Sequence, residues 1–468
     1  MRDYDKGSRG YGKSRIKRGD ILDTPIIDFI KKYGASGSVR LHMPGHKGIN
    51  FTGCEKRDIT EISGADSLYE ANGIILKSEM NASKLFGTKR TLYSTEGSSQ
   101  CIRAMLFLAM LNSKIANKKP VIVAARNAHK TFITAAALLN FDIVWLYPEN
   151  EEYSLCRCDI TKDTLEKTLN SLNEPPCAVY ITSPDYLGGQ ADIEGFAETA
   201  HKHNTLLLVD NAHGAYLHFC ETRKHPMDHG ADICCDSAHK TLPVLTGGAY
   251  LHIGRNTDDF LSDNARRAMS LFGSTSPSYL ILQSLDYANR YIARDYSQKL
   301  TNTINRLDSL KLKLKETGFS AENSDPLKLT VNACKSGFSG IELSDILRKE
   351  NIECEYADHD FSVMMFTPEN KKEDFEKLLN TFKSISIKKP MKRESLYFSP
   401  LKRVCSVREA ILSQSETISI EKAAGRVAAA PAVSCPPAVA IAVSGEEITE
   451  NTIKIFKYYG IKTVEVIK

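Results

Sequence analysis

Four short apolar runs recur along the middle of the chain: PVIVAA (120–125), CAVYIT (177–182), TLLLVD (205–210) and ADICCD (231–236). Each is too short for a typical globular helix, and none shows the alternation of a strand with one wet face. Helical stretches such as DIEGFAETAHKHN (192–204) separate them, and GGAYLHIG (247–254) reads as one further strand. Apolar strands alternating with helices specify a mostly parallel sheet covered on both faces, hence an α/β fold.

Around this core the texture changes. Residues 1–20 carry seven Lys/Arg and three Asp with no apolar stretch behind them, which predicts a tail rather than a secretory signal. TPIIDFIKKYG (24–34) reads as a short helix with Thr24 as its cap and Pro25 at its first position. LHMPGHKG (41–48) is turn-rich, and SEMNASKLFG (78–87) and SSQCIRAMLFLAMLNSK (98–114) have helical spacing. Residues 280–318 read as one long helix or two, followed by mixed α+β texture to about 388 and a linker around 389–400. The expected division is an N-terminal tail and arm (1–55), a large domain (56–275), a small α+β domain (276–390) and a C-terminal α/β domain (391–468).

Charge and cysteine usage exclude several classes. The 61 Lys+Arg nearly balance 57 Asp+Glu, which gives no support to nucleic-acid coating. No apolar run approaches the roughly 20 residues of a membrane span. The 12 cysteines include no C-x-x-C pair and no cluster with zinc spacing, so no metal is expected. They read as reduced thiols of a cytoplasmic protein.

In an open parallel sheet, ligands bind beyond the carboxyl ends of the strands. Those ends are followed by Arg126-Asn127-Ala128-His129-Lys130, Ser183-Pro184-Asp185-Tyr186, Asp210-Asn211-Ala212-His213-Gly214 and Ser237-Ala238-His239-Lys240-Thr241. GSSQ (97–100) opens a long helix, so its free N–H groups and hydroxyls form an anion seat suited to a phosphate. Asp210 ends an apolar strand, where an aromatic nitrogen cation would keep a carboxylate ionised. Lys240 is a candidate amine for a carbonyl. A phosphate, a ring nitrogen and an aldehyde together describe pyridoxal 5′-phosphate (PLP), and the order Asp then Lys fits PLP use.

At these residues the chain resembles the ornithine/lysine/arginine decarboxylases, PLP enzymes with the aspartate-aminotransferase fold. The resemblance rests on LHMPGHKG (41–48), DITEISGADSL (58–68), STEGSSQ (94–100), RNAHKT (126–131), VDNAHGAY (209–216), SAHKTLPVLTGG (237–248), STSPSYLILQSLD (274–286) and CPPAVAIAVSGEEIT (435–449). It implies the short form of the family, without a receiver-like N-terminal wing domain. It also implies that Lys240 carries the Schiff base, Asp210 pairs with the pyridinium nitrogen, and His129 stacks on the ring. His213 would lie at the ring's polar edge, and Gly97, Ser98, Ser99, Ser237 and His239 would hold the phosphate. Family members are at least homodimers, with STSPSY near the interface.

The chain departs from the family form in places. Glu96 stands where Asn is usual, Asn211 replaces an acid, and Tyr216 replaces a common His. GADSL has one acid where two are common, and CPPAVAIAVSGEE lacks a Gly and two prolines of the PPGIP…PGE form. The resemblance implies decarboxylation of a basic amino acid, arginine first, then lysine or ornithine, for polyamine synthesis. Asp66, Glu70 and Glu446 are candidates for the substrate's distal cation. From Lys and Asp alone, an aminotransferase or side-chain lyase of the same fold stays open.

Overall fold

The computed structural model describes residues 22–113, 119–148, 154–157, 159–322, 325–392, 396, 398–433 and 437–468. The expected tail at 1–20 lies outside them. The chain enters through α1 (Pro25–Ala35) and α2 (Ile74–Phe86), then β1 (Arg90–Ser94), α3 (Ser98–Asn112), β2 (Val121–Ala125), α4 (Lys130–Leu139) and β3 (Asp142–Leu146). It continues through α5 (Lys162–Ser171), β4 (Ala178–Thr182), α6 (Ile193–Lys202), β5 (Leu206–Asp210), β6 (Ile233–Asp236), the one-turn α7 (Ala238–Thr241) and β7 (Ala249–Ile253). These strands form a seven-stranded sheet in the order β1-β7-β6-β5-β4-β2-β3. Only β7 runs against its neighbours.

Helices on both faces explain why the inner strands are predominantly apolar. Ala124, Tyr180, Leu208 and Cys235 pack against Met105 and Leu108 of α3 and Phe132 of α4. On the other face Val123, Val179, Leu207 and Cys234 meet Leu165 of α5 and Phe196 of α6. Two strands were not anticipated. β1 begins with Arg90, and β3, DIVWL, begins with an acid at the sheet edge, so neither is a clean apolar run.

After α8 (Asp259–Ser270), α9 (Tyr279–Tyr291) runs through a π turn (Ile292–Tyr296) directly into α10 (Ser297–Glu316). The stretch read as one helix or two is thus a single rod with a bulge. Asp286 of α9 accepts the N–H groups of Ile26 and Ile27, at 3.0 and 3.1 Å. This corrects the expected Thr24 cap: its hydroxyl donates to Asp28 instead, and α1 is capped from a helix far along the chain.

A second, antiparallel sheet follows, β10-β11-β9-β8, from β8 (Ser320–Glu322), β9 (Lys328–Asn332), β10 (Tyr356–Ala357) and β11 (Phe361–Met365). Leu310 and Leu314 of α10 pack on it together with α11 (Gly340–Lys349) and α12 (Lys372–Ser384). The last part comprises α13 (Val407–Leu412), β12 (Ser415–Ser419), β13 (Ala432–Val433), β14 (Ala440–Ala442), α14 (Glu450–Tyr458) and β15 (Thr463–Ile467). It is tied to the large sheet by buried Arg126, whose guanidinium donates to the carbonyls of Ala440 and Ile441 at 2.7 and 3.0 Å. No helix among the described residues is long and apolar enough to cross a membrane.

Candidate active site

Three strand ends and two helix starts supply the site. Lys240 sits on the one-turn α7, directly after β6. Its Nζ lies 2.9 Å from His213 Nε2, on the turn after β5. Burial, then the Lys240 charge, pushes His213 well below its ordinary pKa and keeps it neutral. Burial likewise lowers Lys240, while Asp210 pulls the other way. Among the described residues, nothing hydrogen-bonds the buried His213 Nδ1.

Asp210, at the end of β5, is almost wholly buried. Its Oδ2 accepts from the Tyr180 hydroxyl at 3.1 Å, and its Oδ1 from the Ala212 N–H at 3.2 Å. His129 caps α4: its Nδ1 accepts the Thr131 N–H at 3.2 Å, which leaves the proton on Nε2. Burial lowers its pKa, and Asp210 and Lys240 act on it with opposite sign. The three predicted catalytic side chains therefore feel one another.

Gly97 caps α3 with φ +71°, a conformation that favours glycine, and turns the chain so that α3 begins at Ser98. Ser98 Oγ accepts from Ser237 Oγ at 2.8 Å, which joins the starts of α3 and α7. Ser99 Oγ is 3.2 Å from Thr131 Oγ1, which also lies 2.9 Å from His129 Nδ1. Three serine hydroxyls and free helix N–H groups thus converge as an anion seat. His239 Nδ1 is 3.0 Å from the Gly248 carbonyl, so this nitrogen donates and Nε2 is left bare. The donor set fits PLP: hydroxyls for a phosphate, a buried carboxylate for a ring nitrogen, an amine for an aldehyde, and beside that amine an imidazole whose far nitrogen, His213 Nδ1, has no partner among the described residues.

The three carboxylates considered for the substrate's distal cation behave differently. Asp66 accepts the backbone N–H groups of Ser67, Asn72, Gly73 and Ile75 at 2.8–3.0 Å. Burial opposes its charge, but these donors hold its pKa below the ordinary value. Glu446 is buried, accepts the Val443 N–H at 2.7 Å and pairs with Arg126 at 3.4 Å. Burial raises its pKa, and Arg126 only offsets part of this. Both are structural. Glu70 is exposed at the end of a 3₁₀ turn.

Two charged residues near the site escaped the sequence reading because both come from the second sheet. Exposed Glu355, just before β10, accepts the Tyr186 hydroxyl at 2.9 Å. The Tyr186 ring meets His213 edge-on at 4.9 Å. Glu355 also acts electrostatically on Lys240 and His239. Lys328, at the start of β9, is buried and donates to the Asp185 carbonyl at 2.8 Å. No local motif in IECEYADHDF marks Glu355; only the packing of the two sheets reveals it.

Residues 24–324 match the family model "Orn/Lys/Arg decarboxylase, major domain", and residues 398–465 match the C-terminal domain of the same family. An arginine decarboxylase of Bacillus subtilis is 28% identical over 471 residues, covering 93% of both chains. One from Bacillus anthracis is 26% identical over 465 residues, covering 93% of this chain and 92% of the relative. Among solved structures, a lysine decarboxylase of Francisella novicida superposes with a TM-score of 0.77 at 16% identity, covering 96% of this chain and 82% of that one. A serine palmitoyltransferase of Sphingomonas wittichii does so with 0.53 at 16% identity, covering 78% and 84%.

Proposed function

Because the chain belongs to the Orn/Lys/Arg decarboxylase family, we propose that it decarboxylates a basic amino acid with PLP as its cofactor, arginine first and lysine or ornithine next. The observation that carries this reading is the joint presence of Lys240, His213, Asp210 and the serine anion seat at one sheet edge. When bound, PLP supplies an electron sink conjugated to the substrate's amino group.

The residues then divide the work. Lys240 would hold the cofactor through its aldehyde, with its amine held ready by His213. Asp210 would hold a proton at the cofactor's ring nitrogen, and that charge would stabilise electrons developing in the ring. His129 would lie against the cofactor ring as a positioning residue. Ser98, Ser99, Ser237 and the first N–H groups of α3 hold the phosphate, with Gly97 setting their approach and His239 flanking them. Neutral His213, 2.9 Å from Lys240 Nζ, takes and returns the proton of that amine. Glu355, at the end of the Lys240–His213–Tyr186 series, receives the distal cation; a guanidinium would pair with its carboxylate in bidentate fashion.

The assembly we infer is a homodimer. Val39, Leu41 and Phe51, at 81%, 89% and 74% exposure, present apolar surface on the N-terminal arm, which a second copy would cover. We place the enzyme in the cytoplasm, consistent with ten free cysteines among the described residues, and its product amine in polyamine synthesis.

Carboxyl-labelled arginine, lysine and ornithine test the reaction type. Labelled CO2 with an equal amount of amine supports the reading. A keto acid with the label retained would instead mean transamination.

A further inference from the structure

Asp236 takes no part in the site described above, yet it is the most fully enclosed carboxylate beside it. Its side chain and those of His225, His252 and Asn211 are all 0% exposed. Asp236 Oδ2 lies 3.0 Å from both His225 Nε2 and His252 Nε2. His225 Nδ1 accepts the Met227 N–H at 3.2 Å, so its proton sits on Nε2 and donates to Asp236. His252 Nδ1 faces the Thr91 hydroxyl at 2.9 Å and leaves its Nε2–H for the same carboxylate. The other oxygen, Oδ1, accepts from Asn211 Nδ2 at 2.7 Å. A buried carboxylate with three N–H donors is stable as an anion, and losing one donor leaves a costly unsatisfied charge.

Asn211 lies between Asp210 and the turn that carries His213. Its backbone N–H continues the sheet pairing to the Cys235 carbonyl at 2.9 Å. Its amide is pressed against Gly214, where an added Cβ would come within 2.0 Å of Asn211 Oδ1. The Cys235 thiol reaches Asp210 at 3.6 Å on the cofactor side. Asp236, the next residue of the strand, therefore points through the opposite face. The anchor thus grips the turn from the sheet face opposite Asp210.

We propose that Asp236 is a positioning residue that, through Asn211, fixes the turn presenting Asp210 and His213. The proposal rests on the PLP reading above. An acid at 211 and an acid at 236 are incompatible at 2.7 Å, whereas an acid at 211 facing an amide at 236 restores the bond. Asn at 236 would accept both imidazole N–H groups on its oxygen and donate from its nitrogen.

The test titrates PLP into purified apoprotein and follows the bound cofactor's visible absorbance, with unfolding midpoints of each apoprotein alongside. Asn211→Asp is expected to raise the PLP Kd about tenfold or more, and Asn211→Asp with Asp236→Asn to bring it back within about threefold of the parent, a coupling of contacting residues. Asn211→Ser, which keeps Asp236 with its two histidines, is expected to weaken PLP while leaving the apoprotein folded. A Kd for Asn211→Asp and Asn211→Ser within about twofold of the parent, or a double variant no better than Asn211→Asp, would overturn the proposal. Failure of the parent to bind PLP at all would overturn the cofactor reading instead.

Discussion

Lys240 Nζ and His213 Nε2 lie 2.9 Å apart, joining the turn after β5 to the single helical turn after β6. Burial lowers both groups, and the lysine charge further disfavours protonated His213. A neutral imidazole beside an amine of lowered pKa is an arrangement for proton exchange at that amine. Lys240→Ala removes the amine altogether. Amine production should fall by about a thousandfold or more, while the unfolding midpoint of the apoprotein stays close to that of the parent. Paired rate and melting measurements check both halves.

Glu355 and Glu446 should separate cleanly. Glu355→Gln keeps the Tyr186 contact but removes the charge, and should raise the KM for the basic amino acid about tenfold with a smaller change in kcat. Glu446→Gln removes the buried carboxylate that pairs with Arg126 and should cost about 3 kcal/mol of stability with KM unchanged. Steady-state kinetics beside denaturant unfolding of each variant decide this.

Asp286 carries a pH signature. Burial raises its pKa from 3.8 to about 6, although Ser78 and the N–H groups of α1 counter this. The native state therefore keeps a proton that the unfolded chain has already lost, so stability falls as pH rises through 4 to 6. Asp286→Asn should remove on the order of 2 kcal/mol of that fall. Asp185, also raised to about 6 by burial, leaves part of the slope in place. Unfolding midpoints across this pH range measure the difference.

Ala438 has φ +59°, a left-handed conformation that costs an L-residue about 1 kcal/mol. Its carbonyl accepts the Lys130 N–H at 2.8 Å, next to His129. Ala438→Gly should raise stability by about 0.5–1 kcal/mol with the site unchanged. A lower midpoint in chemical denaturation would contradict it.

Much of the large sheet was legible because β2, β4, β5, β6 and β7 are buried on both faces and therefore predominantly apolar. β1 and β3 were not, since polar residues begin them at the sheet edges. Asp210, His213 and Lys240 could be singled out because polar and ionisable groups collect after strand ends, where the fold rule directs attention, and the structure brings them together. The roles of Asp66 and Glu446 were hidden: whether a carboxylate binds substrate or caps backbone depends on partners up to 320 residues away. Glu355 and Lys328 were invisible for the same reason, since a second sheet brings them to the first.

The central claim is that Lys240 serves decarboxylation of a basic amino acid. Purified protein with added PLP, given arginine, lysine and ornithine separately, tests it most directly when agmatine, cadaverine and putrescine are quantified beside Lys240→Ala. One dominant amine, agmatine first, and none from the variant is the predicted result. A PLP-loaded parent that makes no amine from any of the three would contradict the account.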